Sequence, residues 1–284
     1  MYLAELVFTP IKTSKGFKEK MSTAVSSLMS SLMHNYQISE SEETGWVDGA
    51  LRVYTNVPRP DSLSMEYFSP WAQEGYDEVR KLCSTDPQFR ILNDDVRKRF
   101  PRWQNSGSLV VDLFAEHSPI FGEKDREPVP PYLLPLDQKI KEELYFLQKT
   151  YERYYHIWIS TTVLEIPVWK EMADPKSENS VKARELCRII EEATNLPTYY
   201  FLARYWGRAK NEENRLCPLC GGEWFNRVRG INRKDIDICD FLCEKDRIIS
   251  VIGPSINDER HARIGEYRKP LSRPQKRHEN RQKS

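Results

Sequence analysis

Cys217-Pro-Leu-Cys220-Gly-Gly, followed by Cys239 and Cys243, places four of the chain's six cysteines inside 27 residues. A CxxC turn lets two thiolates converge on one ion, and a second cysteine group from a later turn closes a tetrahedron. Zinc is the metal that such a donor set suits. The Gly221-Gly222 pair after the first turn lets backbone amides point back at the sulfurs. A redox dithiol or inert thiols would account less well for this density.

The other chemistry-bearing residues point away from catalysis. Cys83 and Cys187 fall on apolar helix faces, where thiols serve as small core residues. His34, His117, His156, His261 and His278 are scattered, with no cysteine or carboxylate at catalytic spacing. The sequence contains no Gly-rich phosphate loop, GxSxG elbow or HExxH. Asp94-Asp95 and Glu142-Glu143 are adjacent pairs, and neighbours on a helix do not face each other. The stretch between the knuckles interleaves aromatics with cations: Trp224, Phe225, Arg227, Arg229, Arg233 and Lys234. That composition can stack on bases while neutralising phosphates. It equally describes a β-ribbon whose Trp224 and Phe225 pack inward with arginines in solvent.

Charge is unevenly spread along the 284 residues. The net charge is +1, but Arg260–Ser284 carries nine Lys/Arg against Glu266 and Glu279, leaving a body of -6. A basic tail points to a polyanionic partner, or else to a solvated disordered terminus. No apolar run approaches membrane-spanning length. The start, Met1-Tyr-Leu-Ala-Glu-Leu-Val-Phe8, reads as a strand and not as a signal peptide. Clustered cysteines without an export signal suggest the reducing cytoplasm.

The periodicity predicts an α+β fold, with a mostly antiparallel sheet covered by helices on one face, then a helical segment and a C-terminal zinc ribbon. Strands are expected at 2–8, 51–57, 89–92 and 108–114. Helical stripes run through Phe17, Met21, Ala24, Val25, Leu28 and Leu32, and through Ala72, Tyr76, Val79 and Cys83. Together these compose an N-terminal domain over 1–120, for which a ferredoxin-like topology is one option. Proline-rich residues 121–135 form a connector. Helices over 137–159 and from about 177 to 196, with a strand at 198–205, form a segment over 136–206 packing on that domain. The ribbon spans 215–253, and a basic, disordered tail spans 254–284.

The run Leu196-Pro-Thr-Tyr-Tyr-Phe-Leu-Ala-Arg-Tyr205, Cys217-Pro-Leu-Cys-Gly-Gly-Glu-Trp224, Asp240-Phe241 and Arg247-Ile-Ile-Ser250 resembles a bacterial family of uncharacterised proteins. That family is described as containing a zinc ribbon and as candidate nucleic-acid binders. The opening Tyr2-Leu-Ala-Glu-Leu-Val-Phe-Thr-Pro10 fits it too, so the resemblance runs to about residue 252. Its second knuckle reads Asp-Phe-x-Cys-x-x-Cys-Arg, which puts the last ligand on Asp246 of this chain. A further cysteine pair expected before the Pro-Val-Pro motif is absent here. Cys217, Cys220 and Cys243 are therefore the secure ligands, and the fourth is Cys239 or Asp246. Donor softness favours Cys239, although four residues of extended chain would separate it from Cys243 by about 13 Å. The functional expectation is a non-enzymatic zinc-ribbon protein associated with nucleic acid through the ribbon and tail. The alternative is an antitoxin or immunity protein that binds a basic protein such as a toxin, with zinc purely structural.

Overall fold

The computed structural model describes the chain except residues 41, 94–95, 97–99, 116–117, 125, 229–230, 233–238, 257 and 270–284. The first unit runs β1 (Tyr2–Phe8), α1 (Lys15–His34), β2 (Glu42–Val47), β3 (Ala50–Val57), α2 (Pro70–Leu82) and β4 (Gln88–Ile91). Its antiparallel sheet has the order β2-β3-β1-β4, the ferredoxin-like arrangement. Alternation along β1 sends Ala4, Leu6 and Phe8 to the helices, where they meet Leu51 and Val53 of β3 and Met21, Val25, Leu28 and Leu32 of α1. Ser69 caps α2 by accepting from the Ala72 amide at 3.1 Å, ahead of Pro70 at the first helical position. Gly75 lets α2 lie close on α1: a Cβ there would stand 3.2 Å from the Leu28 Cα.

β2 has no hydrophobic alternation, and periodicity does not anticipate it. Its signal is the turn between it and β3. Asp48 and Gly49 both have positive φ, 50° and 79°, the two-residue turn that joins twisted antiparallel strands.

The second unit contains β5 (Leu109–Val111), β6 (Ile120–Gly122), α3 (Gln138–Ser160), α4 (Glu165–Ala173), α5 (Glu178–Thr194), β7 (Thr198–Phe201), β8 (Arg227–Val228), β9 (Ile231–Asn232), β10 (Phe241–Cys243), β11 (Ile248–Ser250) and α6 (Glu259–Ala262). Its five-stranded sheet has the order β10-β11-β7-β5-β6, with β7 parallel to both β5 and β11. This corrects the boundaries expected at 120 and 215. The strand near 109 joins no strand of the first sheet; it pairs Leu109 with Thr198 and Val111 with Tyr200. The physical reason is burial. All three residues of β5 are fully enclosed, as parallel strands in the middle of a sheet must be.

The ribbon is likewise no appendage, since β11 lies against β7 and Trp224, Phe241 and Ile248 share one core with Leu144, Leu186 and Tyr200. Helix α5 contributes Ala183, Leu186, Cys187 and Ile190 to that core. It is capped by Ser177 on the Ser180 amide at 3.1 Å and closed by Asn195 in the left-handed region.

The described residues between 254 and 269 are part of this unit, a second correction to the expected tail. Parallel pairing continues beyond β7 and β11: Gly207 N donates to Ser255 O at 2.7 Å and Ser255 N to Tyr205 O at 3.0 Å. Buried Arg215 then bonds Glu212 at 3.1 Å, Glu266 at 3.4 Å and the Ala262 carbonyl, pinning α6 and the residues after it. Among the described residues no helix is long and apolar enough to cross a membrane.

The parallel extension depends on glycine. A Cβ on Gly253 would stand 2.4 Å from the Gly207 nitrogen and 2.5 Å from the Trp206 carbonyl carbon, both backbone atoms. Gly253→Ala is expected to lower stability by about 1–3 kcal/mol. Gly16→Ala, at a helical site where nothing lies within 4 Å, should raise it by roughly 0.5–1 kcal/mol. Urea unfolding of the two variants checks the contrast.

Candidate metal centre

The first knuckle is a tight turn. Cys217 N donates to Gly222 O and Gly221 N to Cys217 O, both at 2.8 Å, with Gly221 at φ 73°. The second knuckle connects β10 to β11. Cys243 ends β10, Asp246 sits in the turn, and Arg247 closes it at φ 52°. The Arg247 guanidinium forks onto Glu191 of α5 at 2.9 and 2.8 Å, and its carbonyl accepts from Tyr200 N at 2.9 Å. Helix and sheet thereby hold the second turn at a fixed place. Sequence reasoning misses Glu191 because it is distant in the chain.

Cys217, Cys220, Cys243 and Asp246 converge, with one ligand atom of each within 4.8 Å of the others. Cys220 Sγ lies 3.7 Å from Cys243 Sγ. Asp246 Oδ2 lies 3.1 Å from Cys217 Sγ and 3.2 Å from Cys243 Sγ. A tetrahedral zinc with Zn–S near 2.3 Å sets sulfurs about 3.8 Å apart, and carboxylate oxygen is an accepted ligand. The donor set therefore fits a metal ion.

Electrostatics agree with a site built for charge compensation. The Cys243 thiol beside it and burial push the Cys217 thiol well up. Burial and the Asp246 carboxylate push Cys220 up. Burial would raise Asp246, but hydrogen bonds from Cys220, Cys217 and Cys243 outweigh it and hold that carboxyl below its usual range. Three thiols crowded on one carboxylate form an arrangement that a cation relieves.

Cys239 stays apart, against the preference drawn from donor softness. It is buried on the opposite side of the sheet with Val110, Tyr199, Leu242 and Ile249. The chain bends at Asp240, whose backbone accepts from Asn226 N at 2.6 Å and donates to Ser250 O at 3.0 Å. The bend breaks strand alternation, so Cys239 and Cys243 face opposite ways. Cys83 and Cys187 lie in the cores of the first and second units.

Trp224 corrects a second expectation. It is 2% exposed and stacks on Phe241 with centroids 4.9 Å apart, so its ring is not offered to a base. Of the cations grouped with it, Arg227 has its backbone in β8, paired with Asn232. The Arg227 side chain and residues Arg229, Arg233 and Lys234 lie outside the described residues. On its open side the first knuckle carries Tyr267, whose ring sits where a Cβ on Gly221 would be, 2.4 Å from that position.

The fold and this cluster define an α+β chain with four donors able to hold a metal ion, and known proteins place it beside uncharacterised bacterial relatives. Residues 101–203 match the family described as "Domain of unknown function (DUF2310)". That match covers β5 to β7 and ends before Cys217. An uncharacterized protein of Haemophilus influenzae is 26% identical over 265 residues, covering 88% of this chain and 97% of its own length. A second uncharacterized protein of that organism is 28% identical over 170 residues, 57% of this chain and 80% of its own. The solved structure of Rv0793 from Mycobacterium tuberculosis aligns with 35% of this chain and all of its own, at 12% identity and a TM-score of 0.27. A likeness that weak carries no functional inference.

Substitution separates the two contenders for the fourth position. Asp246→Ala is expected to weaken zinc binding tenfold or more, roughly the least that loss of a ligand costs, while Cys239→Ala leaves it unchanged. Asp246→Cys should tighten it, because sulfur is the softer donor. Competition against a chromogenic chelator reads all three.

Proposed function

We propose that this chain is a non-enzymatic zinc-ribbon protein in which zinc staples the second unit, and that the stapled hairpin with the basic C-terminal stretch associates with nucleic acid. The observation that carries the first part is closure of the tetrad. Four protein donors complete a tetrahedron and leave no position for water or substrate, the pattern of structural and not catalytic zinc. Support for the second part is composition and connectivity. Arg227, Arg229, Arg233 and Lys234 fall in the sequence between Cys220 and Cys243, so one ion would hold both ends of a cationic segment. With Trp224 committed to the core, attraction would come from phosphate neutralisation and not from stacking on that ring.

A second reading, an antitoxin or immunity protein with a basic protein partner, is supported by a different observation. The body is acidic, and the carboxylates Glu40 and Glu152 line a cleft in it.

Salt dependence tests the nucleic-acid reading. Affinity for duplex DNA, followed by fluorescence anisotropy, should fall linearly on a log–log plot against salt. Removing charge at Arg227 and Arg229 should flatten that slope by about two units. Trp224→Ala should lower stability by about 3–5 kcal/mol. Failure to bind RNA or DNA at low ionic strength would remove this reading and leave the partner-protein one.

A further inference from the structure

The sheet of the first unit packs α1 and α2 on one side, where Ala4, Leu6 and Phe8 point. Alternation along β1 turns Leu3, Glu5 and Val7 to the other side, which an antiparallel sheet can leave in water. Strand register extends that open face from edge to edge. Glu43, Tyr54, Glu5 and Arg90 form one row across the four strands, and Gly45, Arg52, Val7 and Gln88 form the next. Leu3, Val47 and Leu92 lie on the same face and are 41%, 46% and 38% exposed. Each alone would be ordinary on a protein surface; together they give one face three apolar points of contact.

The centre of this face is balanced within the chain. Arg52 Nη1 lies 2.6 Å from Glu5 Oε1, the Tyr54 hydroxyl donates to that oxygen at 2.8 Å, and Arg90 Nε holds Glu5 Oε2. The margins are polarised. Edge strand β2 carries exposed Glu43, and the opposite edge strand β4 carries Arg90, whose side chain is 64% exposed. Among the described residues of the face, Glu5 and Glu43 offset Arg52 and Arg90, so it holds no net attraction for a polyanion. It holds instead an acid and a base at opposite ends of a single row.

We propose that this face pairs with the same face of a second copy of the chain. A two-fold interface must be complementary to itself. Rotation about an axis parallel to the strands, midway between β1 and β3, exchanges the edges of the sheet and keeps its rows. It lays β2 of one copy over β4 of the other, so Glu43 meets Arg90 of the second copy at both margins. Across the axis β1 lies beside its own counterpart, which brings Leu3 and Val7 of the two copies together. Packed sheets stand about 10 Å apart with strands within about 30° of each other, a gap that facing Glu and Arg side chains span. None of these residues belongs to the ribbon or to the basic stretch, so the pairing stands apart from the metal centre and from the nucleic-acid reading.

Sedimentation equilibrium on the full-length, zinc-loaded protein is expected to show a monomer–dimer equilibrium. Glu43→Arg, at an exposed position, sets a cation over Arg90 at both margins. It should weaken association about tenfold or more while leaving the thermal midpoint of the monomer unchanged. Cross-linking checks the geometry independently. Within one chain, positions 43 and 90 are three strand spacings apart, about 14 Å, too far for a disulfide. The double variant Glu43→Cys/Arg90→Cys should therefore form a covalent dimer on mild oxidation, and Val47→Cys/Arg90→Cys should not, with the single variants giving the background from native thiols. Glu5 keeps Arg52 and Tyr54 as partners in these variants. A chain that stays monomeric at every concentration, association unchanged by Glu43→Arg, or failure to capture the 43–90 pair would each overturn the proposal. A dimer that fails the last two tests uses another surface, such as the turn between α3 and α4 that exposes Val163 and Leu164.

Discussion

Parallel pairing of β7 with β5 on one side and β11 on the other is the constraint on which the second unit rests. It joins residues near 110, 200 and 250 into one sheet, and the placement of the metal centre derives from it. β11 carries β10 at its edge, β10 ends in Cys243, and the turn between them presents Asp246. The helices over this sheet share its core with the ribbon aromatics. A zinc ribbon elsewhere can be a self-contained module that folds only when the ion binds. Here the hydrophobic core brings half the ligands to their place, and a bound ion would fasten the first knuckle onto them.

The fourth donor illustrates how geometry overrides intrinsic affinity. A tetrathiolate would be the softer site, and the chain has a fourth cysteine within reach in sequence. A bend at Asp240 turns that cysteine into apolar packing on the far face. The knuckle turn delivers a carboxylate in its stead, held in line because Arg247 is anchored to Glu191. An ionised carboxylate carries the same charge as a thiolate, so the two donor sets differ in softness and not in net charge.

Much of the scaffold was legible in the sequence. The stripes of α1, α2, α3 and α5 and the alternation of β1 and β3 are local signals, and their residues lie in the cores where periodicity put them. Cys217 and Cys220 were equally plain, because CxxC spacing is a local signature, whereas Cys243 followed from the family resemblance. The hidden features depended on distant partners or on single-residue geometry. β5 has no local mark of which sheet it joins. β2 is charged and irregular, and only Asp48-Gly49 betrays its hairpin. Composition cannot tell an aromatic that stacks on a base from one buried like Trp224. The polar stretch after residue 254 reads as a tail because its docking relies on Arg215, Glu266 and two facing glycines, not on apolar periodicity.

Tyr267 gives the metal centre a time dimension. Its ring lies on Gly221, directly over the turn that carries Cys217 and Cys220, and the segment bearing it is tied down by the Glu266 pairs with Arg208 and Arg215. This segment leaves the ribosome after both knuckles. During synthesis the first knuckle therefore stands without this covering ring until the later segment is made. Assembly of the four donors and covering of the turn are thus separate events, and Cys220 and Asp246 stay part-exposed in the finished fold.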